Sequence, residues 1–222
     1  MHAFYLHGFA SSPDSSKAVF LRDKFAGYGV PLVAPDLNAP DFGTLTMSRM
    51  VGQVEDAISR VASGAIVVVG SSFGGLVAWH VAARAERNRR PLSKLVLLAP
   101  AFELGSRQGW NLSDDEVAAW QRTGWREVFH YAEDRPRRVH YALFEDTLAY
   151  RPDPLAVGTP GLVFQGSGDT VVDPGGVARF VAAHENLRLR LLDDDHQLKG
   201  SLEVIWAECE AFLGLAPPAT RR

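Results

Sequence analysis

The apolar run Ala65-Ile66-Val67-Val68-Val69 leads directly into Gly70-Ser71-Ser72-Phe73-Gly74, and a helical pattern follows. An uninterrupted apolar run of this length reads as a strand buried on both faces. A Gly-x-Ser-x-Gly turn between such a strand and a helix holds a serine in strained backbone, with its hydroxyl free and the positive end of the helix beneath it. Two serines are adjacent here, and sterics choose between them. Residues two before and two after the serine must be small, because their Cβ atoms would otherwise collide across the turn. Centred on Ser72 they are Gly70 and Gly74; centred on Ser71 they are Val69 and Phe73, both too bulky. Ser72 is therefore the candidate nucleophile, and Gly75 eases packing of the helix start. A plain strand-to-helix turn with a serine cap would use the same residue types. The glycine spacing does not fit a dinucleotide fingerprint, and no Lys-Ser/Thr follows to make a phosphate loop.

The remaining chain alternates short apolar runs with helical patterns, which predicts a mostly parallel, doubly wound α/β sheet of about six strands with right-handed crossovers. Strands are expected at Ala3 to Leu6, Val30 to Ala34, the elbow run, Lys94 to Leu98, Gly161 to Gln165 and Leu187 to Leu192. Helices are expected over Lys17 to Phe25, Leu45 to Ala62, Gly75 to Ala85, Val177 to Ala183 and Leu202 to Phe212. The Pro-rich tail after Leu215 is expected to fray. At 222 residues the chain suits one domain over 1–222.

One segment breaks the alternation. About fifty residues lie between Pro100 and Pro154, where an ordinary connection needs only a helix, so residues 102–154 read as a cap insertion. Ser113-Asp114-Asp115-Glu116 looks like a capping box opening a short helix. Trp125 to Tyr141 alternates like a hairpin around Glu133-Asp134-Arg135-Pro136, and Leu143 to Tyr150 reads as a second helix. Aromatic residues gather in this segment. Trp110, Trp120, Trp125 and Phe144 are the candidates for an apolar substrate pocket, although the same rings would also serve as the cap's own small core.

In an open parallel sheet, ligands bind beyond the carboxyl ends of the strands. After the fifth strand comes Gly166-Ser167-Gly168-Asp169, where three small residues let Asp169 turn inward as the acid; Asp173, before Pro174, reads as a helix cap. After the last strand comes Asp193-Asp194-Asp195-His196, which offers His196 as general base. Two backbone donors should face a developing oxyanion: the N–H of Phe73, at the helix start, and the N–H of Phe9, which Gly8 lets turn inward. His7 is expected to brace that loop. His80, His130, His140 and His184 pair with no acid and nucleophile and read as surface or packing residues.

With Ser72, Asp169 and His196 in this chain order and His7-Gly8-Phe9 after the first strand, the sequence resembles the α/β-hydrolase superfamily over nearly its whole length. It is most similar to small single-domain serine esterases that begin at the oxyanion-loop strand. The resemblance implies a sheet without two leading antiparallel strands, a cap before the acid-bearing strand and no cofactor. It implies hydrolysis of carboxylic esters or thioesters of small to medium acyl substrates through an acyl-enzyme. The scaffold also hosts C–C and amide hydrolysis, perhydrolysis and non-catalytic binding proteins. The acidic run Asp193 to Asp195 departs from the glycine of many relatives; it would either act on the base and on anionic substrates or form a solvated turn.

A net charge of −3 with acids and bases mixed along the chain argues against nucleic acid or anionic membrane surfaces as partners. No metal site is indicated, and a small-molecule ester or thioester is the expected partner. The residues from Met1 to His7 show no basic leader, no run approaches a spanning length, and the single Cys209 fits a reducing cytoplasm. Its place on an amphipathic helix favours packing over chemistry.

Overall fold

The computed structural model describes residues 1–153 and 155–216; from residue 217 on, the tail expected to fray lies outside the described residues. Six strands form one parallel sheet: β1 (His2–Leu6), β2 (Leu32–Val33), β3 (Ile66–Ser71), β4 (Lys94–Leu98), β7 (Gly161–Gly166) and β8 (Leu187–Leu192). Their order is β2-β1-β3-β4-β7-β8, with β5 (Trp125–His130) and β6 (Arg135–His140) forming a separate antiparallel hairpin. The winding reverses between β1 and β3, so the loops that leave these two strands diverge and open a crevice at the sheet's carboxyl edge. That crevice receives the elbow.

Alternation along the buried strands explains their uniformly apolar sequence. Val67 and Val69 pack with Phe25 of α1 (Ser16–Ala26) and Trp206 of α7 (Leu202–Leu213), whereas Ile66 and Val68 share the opposite core with Val54 of α2 (Met47–Ser59) and Val77 of α3 (Phe73–Arg87). Each such side chain contributes about 1.5–3 kcal/mol when fully buried, so the central strands hold the sheet. Cys209 sits in the α1/α7 core, where burial, aided by the charge of Glu208, pushes its thiol up to about 12 and leaves it inert.

The helix starts follow side-chain caps. Ser15 accepts from the Ala18 N–H, and Thr46 from the Arg49 N–H; Asp173 accepts from the Gly175 and Gly176 N–H groups at the start of α6 (Pro174–Ala182). Several boundaries shift from the expectation, α2 for instance running Met47–Ser59 where Leu45 to Ala62 was expected, and two have a clear physical reason. β2 is only Leu32–Val33 where Val30 to Ala34 was expected, because Pro31 and Pro35 bracket it and lack the N–H a longer ladder needs. α3 begins at Phe73 rather than Gly75, directly after the serine.

The segment between β4 and β7 carries its own elements. Turns at Phe102–Gly105 and Gln108–Trp110 lead to α4 (Asp114–Thr123), where Ser113 and Glu116 form the capping box; the β5/β6 hairpin and α5 (Ala142–Thr147) complete it. Its buried Trp120, Val139 and Phe144 share one continuous core with Phe73 and Leu76. On the outside, Asp146 accepts from the Ser48 N–H and hydroxyl, both at 2.6 Å, which ties α5 to the first turn of α2. Among the described residues no helix is long and apolar enough to cross a membrane.

Candidate active site

Ser72 stands between the end of β3 and the start of α3 with φ 53° and ψ −118°, a conformation that non-glycine residues adopt only when the surroundings impose it. Backbone bonds impose it here: the Ser72 N–H donates to Leu98 O at 2.9 Å, and Ser72 O accepts from Gly75 and Ala101 N–H groups at 2.8 and 3.1 Å. The glycines make the turn possible. A Cβ on Gly70 would lie 2.4 Å from Gly74 O, and one on Gly74 would lie 2.2 Å from Leu6 O. The first clash is across the turn, as expected; the second is against the end of β1, so Gly74 seats the helix on the neighbouring strand. Ser71 is buried as the last residue of β3, in register with Leu98.

His196, in the loop after β8, joins Ser72 to Asp169. Its Nε2 lies 3.0 Å from Ser72 Oγ and its Nδ1 lies 2.8 Å from Asp169 Oδ2. With the Nδ1 proton given to the carboxylate, the Nε2 lone pair is left to accept from the serine hydroxyl. The Asp169 side chain is wholly buried and fully occupied: Oδ1 accepts from the Val171 and Val172 N–H groups at 2.8 and 2.9 Å, and Oδ2 also accepts from Gln165 Nε2 at 2.8 Å. Burial alone would raise its pKa, yet the hydrogen bonds from His196, Val172 and Val171 outweigh it and hold the carboxyl below its ordinary value. The acid is therefore ionised where the imidazole needs it.

The loops carrying Asp169 and His196 interlock. The Gly168 N–H donates to Asp194 O at 3.0 Å, and a Cβ on Gly166 would lie 2.5 Å from both Asp194 O and Asp195 O. The acidic run has local work: Asp194 Oδ1 accepts from the Asp195 N–H and Asp195 Oδ1 from the Gln197 N–H, at 2.8 and 2.7 Å. Asp193 is exposed. This is a turn built by its own carboxylates.

The loop after β1 lies against the serine, since a Cβ on Gly8 would sit 3.3 Å from Ser72 Cβ and 3.8 Å from Oγ. His7 braces it: Nδ1 donates to Gly8 O at 2.9 Å while Nε2 accepts from the Leu37 N–H at 3.0 Å. Burial lowers the His7 pKa, which keeps the ring in this neutral, two-ended role. Phe73 opens α3, so its N–H has no partner within the helix. Phe9 sits across from it, the two rings 6.3 Å apart.

A cavity of about 460 Å³ has Phe9, Ser72 and Phe73 in its lining, with the insertion supplying much of the rest. Trp110 and Trp120 line it. Trp125 and Phe144 do not, which corrects the expectation for both. Trp125 is turned by strand alternation to the other face of the hairpin, against the His140 ring at 5.1 Å and beneath the Arg138 guanidinium at 5.2 Å. Phe144 is buried behind the lining, 5.4 Å from the Trp110 ring and 5.9 Å from Trp120. In their place stand Arg126, Val128 and Val139 of the hairpin and Glu103, Leu104 and Leu112 of the preceding turns.

Sequence reasoning missed Gln165, the polar end of an otherwise apolar strand, and Lys17, whose Nζ donates to Gln197 O at 3.1 Å beside the histidine. The polar break in the run Leu162-Val163-Phe164 was a signal for the first; nothing local signalled the second. Among the described residues no group of three or more His, Cys, Asp or Glu side chains is placed to hold a metal ion.

The parallel sheet, its switch point and the serine turn at the end of β3 define the α/β-hydrolase fold, and solved structures agree. A protein from Agrobacterium vitis S4 assigned as a hydrolase superposes with a TM-score of 0.84 at 25% identity, over 95% of this chain and 87% of that one. Est1E from Butyrivibrio proteoclasticus, with ferulic acid bound, gives 0.78 at 20% identity over 96% and 88%. Mouse alpha/beta hydrolase domain-containing protein 10 gives 0.78 at 19% over 97% and 90%. The chain belongs to UPF0227, described as an uncharacterised protein family, whose match spans residues 2–213. It is also 40% identical over 85 residues to Lipase LipV of Mycobacterium tuberculosis; the match spans 35% of this chain and 31% of that relative's length.

Proposed function

We propose that the protein is a serine hydrolase that cleaves carboxylic esters or thioesters of small to medium acyl groups through an acyl-enzyme. The observation that carries this is the unbroken relay Ser72 Oγ to His196 Nε2 at 3.0 Å and His196 Nδ1 to Asp169 Oδ2 at 2.8 Å, set beside an apolar cavity. A protein named as a lipase among its relatives, and a fold neighbour that holds ferulic acid, support an acyl substrate.

In this reading His196 Nε2 takes the hydroxyl proton as Ser72 Oγ attacks the carbonyl carbon. The carbonyl oxygen becomes an oxyanion held by the N–H groups of Phe73 and Phe9, each such donor worth about 3 kcal/mol of barrier. Collapse breaks the C–O or C–S bond, and His196 returns its proton to the leaving alcohol or thiol. Water, activated by the same imidazole, then hydrolyses the Ser72 ester. Asp169 keeps the Nδ1–H tautomer and stabilises the imidazolium in both halves. The inserted segment acts as a cap whose Trp110 and Trp120 face the acyl or alcohol portion, and the chain works as one domain.

Labelling with a fluorophosphonate probe, followed by mass spectrometry, tests the nucleophile. The adduct is expected on Ser72 and absent in Ser72→Ala; equal labelling of that variant overturns the reading.

A further inference from the structure

Arg126 stands where an apolar residue would be expected. On the hairpin it shares a face with Val128 and, in register across the strands, with Val139, and all three line the cavity that contains Ser72. The same row also carries Arg137 and His130, which pack on Phe42 outside the cavity lining, so Arg126 is the cation of this row that borders the cavity. No other cationic side chain is among the described residues of the lining.

Its known partner does not consume it. One Nη2 bond reaches Glu116 Oε1 at 3.3 Å, while Glu116 Oε2 is taken by the Ser113 N–H and hydroxyl at 2.9 and 3.0 Å. Among the described residues the Arg126 guanidinium makes no other hydrogen bond, so Nε, Nη1 and the second hydrogen of Nη2 stay free to donate. Glu103, the acidic group elsewhere in the lining, forms no ion pair with Arg126; its Oε1 is packed on Gly176 at the start of α6, where a Cβ would lie 2.1 Å away. Glu116 therefore anchors the guanidinium through one hydrogen and leaves its other N–H groups free on a residue that lines the cavity.

Nη2 carries a second N–H besides the one given to Glu116, and with Nε–H or Nη1–H it makes an edge that matches a carboxylate, which accepts two parallel N–H bonds. A single cation also suits a monoanion better than a phosphate dianion, the more so with Glu103 in the same lining. Resting on the hydrolase reading above, we infer that the pocket selects esters or thioesters that carry a second, free carboxylate remote from the scissile bond, and that Arg126 receives it.

Matched substrate pairs read this as a ratio, which is insensitive to the fraction of folded protein. On the acyl side the pair is mono-p-nitrophenyl glutarate and p-nitrophenyl valerate; on the leaving-group side it is 4-butyryloxybenzoate and phenyl butyrate. The anionic-to-neutral ratio of kcat/KM is expected to fall about tenfold or more from wild type to Arg126→Gln in at least one pair. Arg126→Lys should give an intermediate value, and the responding pair tells which side of the ester carries the charge. Ratios equal within twofold in both pairs overturn the inference while leaving serine-dependent hydrolysis intact. Binding of monomethyl glutarate to Ser72→Ala, followed by calorimetry, needs no turnover and so stands apart from the hydrolase reading. Roughly tenfold weaker binding when Arg126→Gln is added supports the inference; equal affinity, or no binding by either protein, overturns it.

Discussion

At Gly70 and Gly74 a single added methyl would lie 2.4 and 2.2 Å from backbone oxygens, whereas Trp110, Trp120 and Phe144 meet one another as rings 5.4 to 5.9 Å apart. The serine turn is held by backbone against backbone. It has no slack, because neither partner can move without unpicking β1, β3 or α3. The inserted segment is held by side chains against side chains, with ion pairs such as Arg135–Glu133 on its outside, and side-chain packing tolerates rearrangement far better. The difference separates two tasks: geometry that must not vary is written in backbone contacts, and the shape of the pocket is written in rings that can be exchanged.

The largest expected effect lies on the backbone-held side. Asp169→Asn should lower kcat by about 10⁴-fold, since the amide favours the wrong imidazole tautomer. Asp173→Asn, on a residue that only caps α6, should change turnover by less than about twofold, an amide capping as well as a carboxylate. A larger loss at position 173 would place the acid wrongly. Gly74→Ala comes next: chemical denaturation should show a loss of about 4 kcal/mol or more, as expected when a buried backbone contact cannot relax. A loss below about 1 kcal/mol would show that the turn does yield, and the comparison would fail.

On the side-chain-held side, Phe144→Ala should cost about 3 kcal/mol of stability through the cavity it leaves. Trp110→Ala, on a half-buried residue, should cost less and instead shift the acyl-chain-length profile of p-nitrophenyl ester hydrolysis. Identical chain-length profiles for wild type and Trp110→Ala would remove the insertion from substrate selection. The smallest effect concerns pH. The depressed pKa of Asp169 stabilises the fold above the unfolded carboxyl value of about 3.9, and this contribution disappears as pH falls through the folded value. Urea unfolding below about pH 4 should therefore weaken less steeply with acid in Asp169→Asn than in wild type.

Legibility follows the same division. β4 coincides with its apolar run, because a strand covered on both faces must be apolar throughout, and β8, at the sheet edge, is legible from its Leu-Arg alternation. Positions 72, 169 and 196 could be singled out because each lies in the connection that leaves the carboxyl end of a strand, and the structure brings the three within hydrogen-bond reach. The pocket was only half legible. Trp110 and Trp120 face it and Trp125 and Phe144 do not, since which face a hairpin residue presents depends on how the hairpin is docked. Arg126 was invisible for the same reason, and Lys17 acts on a loop brought near only by folding.

By itself, the sequence determined the layered parallel sheet, the serine turn with its glycine frame and the strand ends where acid and base emerge. These depend on local sterics and on the period of burial, which neighbouring residues encode. Tertiary structure alone decided that Glu116 pairs with Arg126 at the cavity lining, that His196 closes on Asp169 and helps hold it ionised, and that Trp125 turns away from the pocket. Each of these depends on contacts between segments distant in the chain, whose relative placement no local pattern records.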